Sequence, residues 1–149
     1  MKTYLIIFLS AFSLFLSAQS SLSEVREAYR TSVDSKENAL AFFNDLKSVQ
    51  QSNGTVLMAY KGAAYMLLAR YDPLLKKKSE IKNGKTWIEA YIKRNPNDVE
   101  GRFVRLTIQE NLPKIAGYSQ NIEEDREFIR KKLPAVTDAQ LKKMLETIK

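Results

Sequence analysis

The chain has 149 residues with no cysteine and no histidine, and 24 lysines and arginines face 17 acids. This excludes Ser-His-Asp and Cys-His catalysis, thiolate or imidazole metal sites, and disulfide staples. Five glycines and four prolines are too few to punctuate a sandwich or barrel of many short strands, so composition points to one basic helical domain.

Residues 1–18 read as a secretory signal peptide: Lys2 precedes the apolar run Leu5 to Leu16, and the small Ser17 and Ala18 follow. A run of about a dozen apolar residues falls short of the roughly 20 that span a bilayer. Cleavage is expected after Ala18, with Ser20 as the other candidate, which places residues 19–149 in the periplasm or outside the cell as a single domain. That domain stays basic, because the signal carries one cation. About 130 residues bury roughly two-thirds of their unfolded surface, enough to fold by packing alone.

From Leu22 the apolar residues recur at three and four, the helical period. Leu22, Val25, Tyr29 and Val33 form a first stripe, with Ser23 as its expected N-cap. Ser35 is expected to cap a second helix, carrying Ala39, Phe42, Phe43, Leu46 and Val49 and closed by Ser52-Asn53-Gly54. Thr55 is expected to cap a third, with Val56, Leu57, Tyr60, Ala64, Leu67, Leu68 and Tyr71 on its stripe and small residues over much of the rest. Glycine costs a helix interior about 1 kcal/mol relative to alanine, so Gly62 implies that another backbone packs against it.

Asp72-Pro73 ends that helix, since the residue before proline avoids the helical region. A lysine-rich stretch, Leu74 to Lys82, leads to Gly84 and to a stripe of Trp87, Ile88, Tyr91 and Ile92. Asn95-Pro96-Asn97-Asp98 reads as a turn with an N-cap. The next helix sets Val99, Phe103 and Leu106 on one side and Val104, Ile108 and Leu112 nearly opposite, so neighbours must sandwich it. Pro113 and Gly117 stop it. Ile122, Ile129 and Leu133 lie inward on a helix with acids early and cations late, which complements its dipole. After Pro134, Thr137 to Gln140 forms a capping-box pattern before Leu141, Met144, Leu145 and Ile148.

Gly62-Ala63-Ala64-Tyr65, Tyr71, and Ile88 to Pro96 resemble pieces of the tetratricopeptide repeat. The proline lies about ten residues later than that repeat places it, Arg102 and Arg105 stand at apolar consensus positions, and the likeness covers about a third of the chain. Gly84-Lys85, Ile88-Glu89, Asn95-Pro96-Asn97, Glu100 to Phe103 and Gly117-Tyr118 to Asp125 also resemble a group of uncharacterised exported helical proteins. The resemblance implies an all-α fold of antiparallel hairpins, stacked as a short right-handed superhelix or bundle. It also implies a partner-binding concave face, with Lys61, Tyr65, Arg102, Arg105 and Gln109 as groove candidates. Arg102 and Arg105 are expected either to border that groove or to pair with acids such as Glu100 or Glu110.

Carboxylates are the remaining acid–base groups near neutral pH. Glu110 with Glu123, Glu124 and Asp125 can be read as a glycosidase-like pair, but consecutive acids on a first turn more often serve the helix dipole. They also lack the spacing of a calcium loop, so neither metal nor cofactor is expected. Lys76-Lys77-Lys78, Arg130-Lys131-Lys132 and Lys142-Lys143 suit a solvated surface or an anionic one. Export and the lack of aromatics interleaved with the cations argue against nucleic acid. The sequence reading is therefore a non-enzymatic exported scaffold that binds a protein or peptide in the cell envelope. An envelope polysaccharide hydrolase and an anionic-surface binder are its alternatives.

Overall fold

A computed structural model describes residues 20–148, so the expected signal peptide lies outside the described residues. Within them are seven α-helices, three short 3-10 turns and no strand, which establishes the all-α class. The helices are α1 (Leu22–Thr31), α2 (Lys36–Asp45), α3 (Leu57–Ala69), α4 (Leu74–Arg94), α5 (Val99–Asn111), α6 (Ile122–Lys132) and α7 (Ala139–Leu145). Among the described residues no helix is long and apolar enough to cross a membrane.

Side chains that satisfy the orphan amides of a first turn set most starts. The Ser35 side chain accepts from the Asn38 N–H, and Asp98 accepts from the Gly101 N–H at 2.7 Å, as the sequence predicts. Two caps fall elsewhere. Ser21, rather than Ser23, caps α1 and forms a reciprocal box with Glu24. Asp138, rather than Thr137, caps α7 by accepting from the Leu141 N–H. Thr55 caps nothing, because α3 starts after Val56 without a side-chain partner.

Two boundaries also move. α2 ends at Asp45, and the polar cluster beyond it makes a 3-10 turn, Gln51–Asn53, closed by Gly54 at φ 64°. The lysine-rich stretch is not a connector: it is the first half of α4, which runs 21 residues through Gly84 without a break. Gly84 sits there for the reason Gly62 does. A Cβ on Gly62 would stand 2.6 Å from the Gly84 carbonyl oxygen, and one on Gly84 would stand 2.6 Å from the Gly62 carbonyl oxygen. The two helices touch backbone to backbone.

α3 is the axis of the core, buried along nearly its whole length and packed by α1, α2, α4 and α5. Tyr29, Phe42 and Tyr60 close the contact of α1, α2 and α3, with ring centroids 5.3 to 6.4 Å apart. α5 meets α3 and α4 on one side and α6 on another, as its two apolar sides require.

Candidate functional site

The polar groups of α5 are committed before any ligand arrives. At its first turn the buried Glu100 accepts from Arg26 Nε and Nη2 at 2.7 Å each, and from the Tyr60 hydroxyl at 2.7 Å. Arg26 also donates to Asp138 at the start of α7. The Glu100 bond, and then the Asp138 bond, hold the Arg26 guanidinium proton above its ordinary range against the pull of burial. Burial and then the Glu100 charge push the Tyr60 phenol far up. This node ties α1, α3, α5 and α7 together.

A turn later α5 builds a second node. Arg105 grips the buried Asp125 of α6 with two bonds of 2.7 Å and reaches Glu89 of α4 at 3.1 Å. Burial pulls the Arg105 guanidinium down, but the bond to Asp125 and the charges of Asp125 and Glu89 together outweigh it and leave the group above its ordinary range. Arg102 donates to Asp125 at 2.9 Å, to Glu124 at 2.8 Å and to the Pro96 carbonyl, and it lies over the Phe128 ring. Glu89 in turn accepts from the Tyr118 hydroxyl at 2.6 Å. The arginines thus pair with acids, though with Asp125, Glu124 and Glu89 instead of Glu100 or Glu110. Within this node the buried charges of Arg105 and Asp125 are paired, as the low dielectric demands.

The other groove candidates are also engaged internally. The Gln109 side chain accepts from the Asn121 backbone N–H and donates to the Asn121 side chain, which pins the start of α6. Lys61 donates to the Lys47 and Val49 carbonyls at 2.9 and 2.6 Å, with its Nζ 4.6 Å from the centre of the Trp87 ring. Burial pulls its ammonium below the ordinary lysine range. Tyr65 stands edge-on to Phe43 at 5.0 Å. Lys61 and Tyr65 therefore serve the contacts of α3, while Arg102, Arg105 and Gln109 serve the α5–α6 contact. The five do not converge on one cleft.

The carboxylates of the hydrolase reading are likewise paired. Glu110 and Glu123 both bind Arg126, and Arg102 and Asn121 hold Glu124 below the usual carboxylate range. Among the described residues no group of three or more acids is placed to hold a metal ion.

Open concavity lies at the other end of α5. A cleft of about 730 Å³ is bounded by the last turns of α1, α3 and α5 and the start of α4. Its walls are Tyr29, Val33, Met66, Leu67, Ile108 and Leu112, and the charged residues along it are Arg30, Arg70 and Lys77, with no acid among the lining. Arg30 is bound by Glu27; Arg70 and Lys77 have no acid partner among the described residues. The Tyr29 hydroxyl bonds Thr107 at 2.6 Å, and burial pushes its phenol up to about 12. A smaller cleft of about 320 Å³ shares Tyr29 and Arg30 with the first and is lined by Phe103, Met144 and Lys143. None of the five sequence candidates lines either cleft. The sequence carries only a weak signal for the larger one: Arg70 closes the small-residue helix, and lysines resume at Lys76, beyond Pro73.

No protein-family model matches the chain, and no curated protein or solved structure matches it either.

Proposed function

We propose that the protein is a non-catalytic helical scaffold of the cell envelope, and that its cleft at the ends of α1, α3 and α5 holds a short apolar segment bearing a carboxylate, supplied by a protein or peptide partner. One observation carries the reading: an apolar-walled cleft of about 730 Å³ whose lining charges are all cationic. That volume lies within the roughly 300–1,000 Å³ usual for binding clefts. Its apolar walls favour burial of side chains, and Arg70 and Lys77 supply charge complementarity that selects an acidic partner.

We read the α3–α4 and α5–α6 hairpins as two degenerate repeat units of the tetratricopeptide kind. α3 contacts both its own partner α4 and the first helix of the next unit, α5. α1, α2 and α7 then act as caps. The commitment of the ionisable side chains of α5 to internal pairs favours a scaffold over an enzyme, and the signal-like run Leu5 to Leu16 supports the reading that it works beyond the cytoplasmic membrane.

The test is a quantitative pull-down from envelope extract with the parent chain, Arg70→Glu/Lys77→Glu, and Lys131→Glu/Lys132→Glu, which applies the same charge change on α6. The expected result is a partner lost in the first variant, retained in the second, and crosslinked through an acidic segment by a photoreactive residue at Asn111. A partner held equally by all three proteins rejects the cleft.

A further inference from the structure

We infer that the end of the molecule formed by the start of α4 and the 3-10 turn after α5 docks on an anionic lipid surface. This surface borders the cleft and shares Val33, Arg70 and Lys77 with its lining, but its most exposed apolar tips, Leu74, Leu75 and Ile115, lie outside that lining, so the inference does not depend on the cleft taking a peptide.

Large apolar side chains left in water are the first observation. Leu74 is 67% exposed, Leu75 84% and Ile115 97%. Leu74 and Leu75 open the first turn of α4, and Ile115 lies in the turn Lys114–Ala116. The cleft touches both Lys77 on α4 and Leu112 and Pro113 at the end of α5, so these segments meet at one end of the bundle. Tyr71 and Val33, also exposed, sit at the same end, on the chain leaving α3 and α1.

Charge is the second. Residues 20–148 hold 22 cations and 17 acids, and the 16 residues from Arg70 to Lys85 hold six cations and two acids. At the docking end itself, residues 70–78 together with Lys114 hold five cations and one acid. Lys76 is bound by Asp72 at 3.0 Å, whereas Lys77, Lys78 and Lys114 have no acid partner among the described residues.

Placement is the third. The first turn of α4 contains no acid and receives lysines instead, at the end of a helix where the dipole repels cations. Folding gains nothing from leucines in water or from lysines at a helix start, and such local conflict marks a surface kept for another purpose.

The shape selects the occupant. A protein partner that takes isolated protruding side chains must offer a matching cavity for each, while a bilayer interface is fluid and closes around them. Apolar tips enter the acyl boundary as neighbouring lysines extend to the headgroups, the two-part attraction that holds proteins at anionic membranes.

The experiment is flotation of the full chain with vesicles of phosphatidylcholine alone or mixed in equal parts with phosphatidylglycerol. The parent is expected to float with the mixed vesicles, to leave them in about 1 M salt, where the screening length is about 3 Å, and to ignore the neutral ones. Leu75→Asp/Ile115→Asp is expected to lower the partition coefficient at least about tenfold, while Leu40→Asp, at an exposed leucine on α2, leaves it unchanged. Both sites are exposed, and matching thermal melts show that the fold is intact. Binding equal to the parent's in the double variant, as an N-terminal apolar anchor would give, overturns the inference. So does equal binding to neutral vesicles, or none by the parent.

Discussion

Replacing Gly62 with alanine separates two opposite expectations. On an exposed helix the change stabilises by about 1 kcal/mol, because alanine loses less backbone entropy. Here the added methyl would stand 2.6 Å from the Gly84 carbonyl oxygen, 2.7 Å from Ile88 Cγ1 and 3.0 Å from the Ile88 backbone nitrogen. Two of those atoms are backbone, and Ile88 is fully buried, so no side-chain rotation relieves the contact. Ordinary contact begins near 3.4 Å, so α3 and α4 must part by roughly 0.8 Å at the crossing. Overpacking of this kind costs about 3 kcal/mol at the upper end of its usual range, which leaves a net loss of about 2 kcal/mol. For a domain of this size that lowers the melting temperature by roughly 6–10 °C. Urea unfolding followed by far-ultraviolet circular dichroism measures it directly. Gly84→Ala should behave alike, and the double variant should lose less than the sum, because one separation accommodates both methyls. A Gly62→Ala protein as stable as the parent would refute the backbone contact.

The buried charges and phenols make two further predictions. Asp125→Asn leaves Arg105 and Arg102 against a neutral amide and should cost about 3 kcal/mol, whereas Glu124→Gln, at a side chain 59% exposed, should cost under about 1 kcal/mol; equal shifts in urea midpoint would contradict the second node. Burial raises the phenols of Tyr29, Tyr60, Tyr91 and Tyr118 above the free value of 10.0. A raised folded value means stability that is present below about pH 10 and lost as pH climbs through the folded values. Phenolate absorbance from these four should therefore rise together with loss of helical signal above about pH 11; complete ionisation of a still-helical protein would contradict their burial.

Local signals were legible in the chain where one or two residues decide the outcome. Ser35 and Asp98 cap helices, Gly62 marks a backbone contact, and Pro113 and Gly117 end α5 and its following turn. The run from Leu74 to Lys82 misled for the same reason: lysines at a helix start and a central glycine both argue against a helix, and packing against α3 overrides them. Pairing across the fold was out of reach. Arg26 and Glu100 lie 74 residues apart, and nothing local joins them. Asp125 did carry a signal. It lies three residues after Ile122 and four before Ile129, on the inward face of α6, and a lone acid at such a position requires a cation opposite. The groove candidates on α5 follow from the likeness to a repeat's concave face, but a helix that is apolar on two sides leaves Arg102 and Arg105 little access to water, and they turn inward to acids while Gln109 turns to Asn121.

The clasp between Arg26 and Asp138 spans 112 positions and joins the first described helix to the last. Synthesis delivers those partners at different times. A polypeptide growing from its N-terminus exposes Arg26 early, yet the carboxylates that make its burial tolerable emerge only after most of the chain exists. Until then, closing α1 onto α3 would leave the Arg26 charge without its buried partners, which the low dielectric of the core penalises.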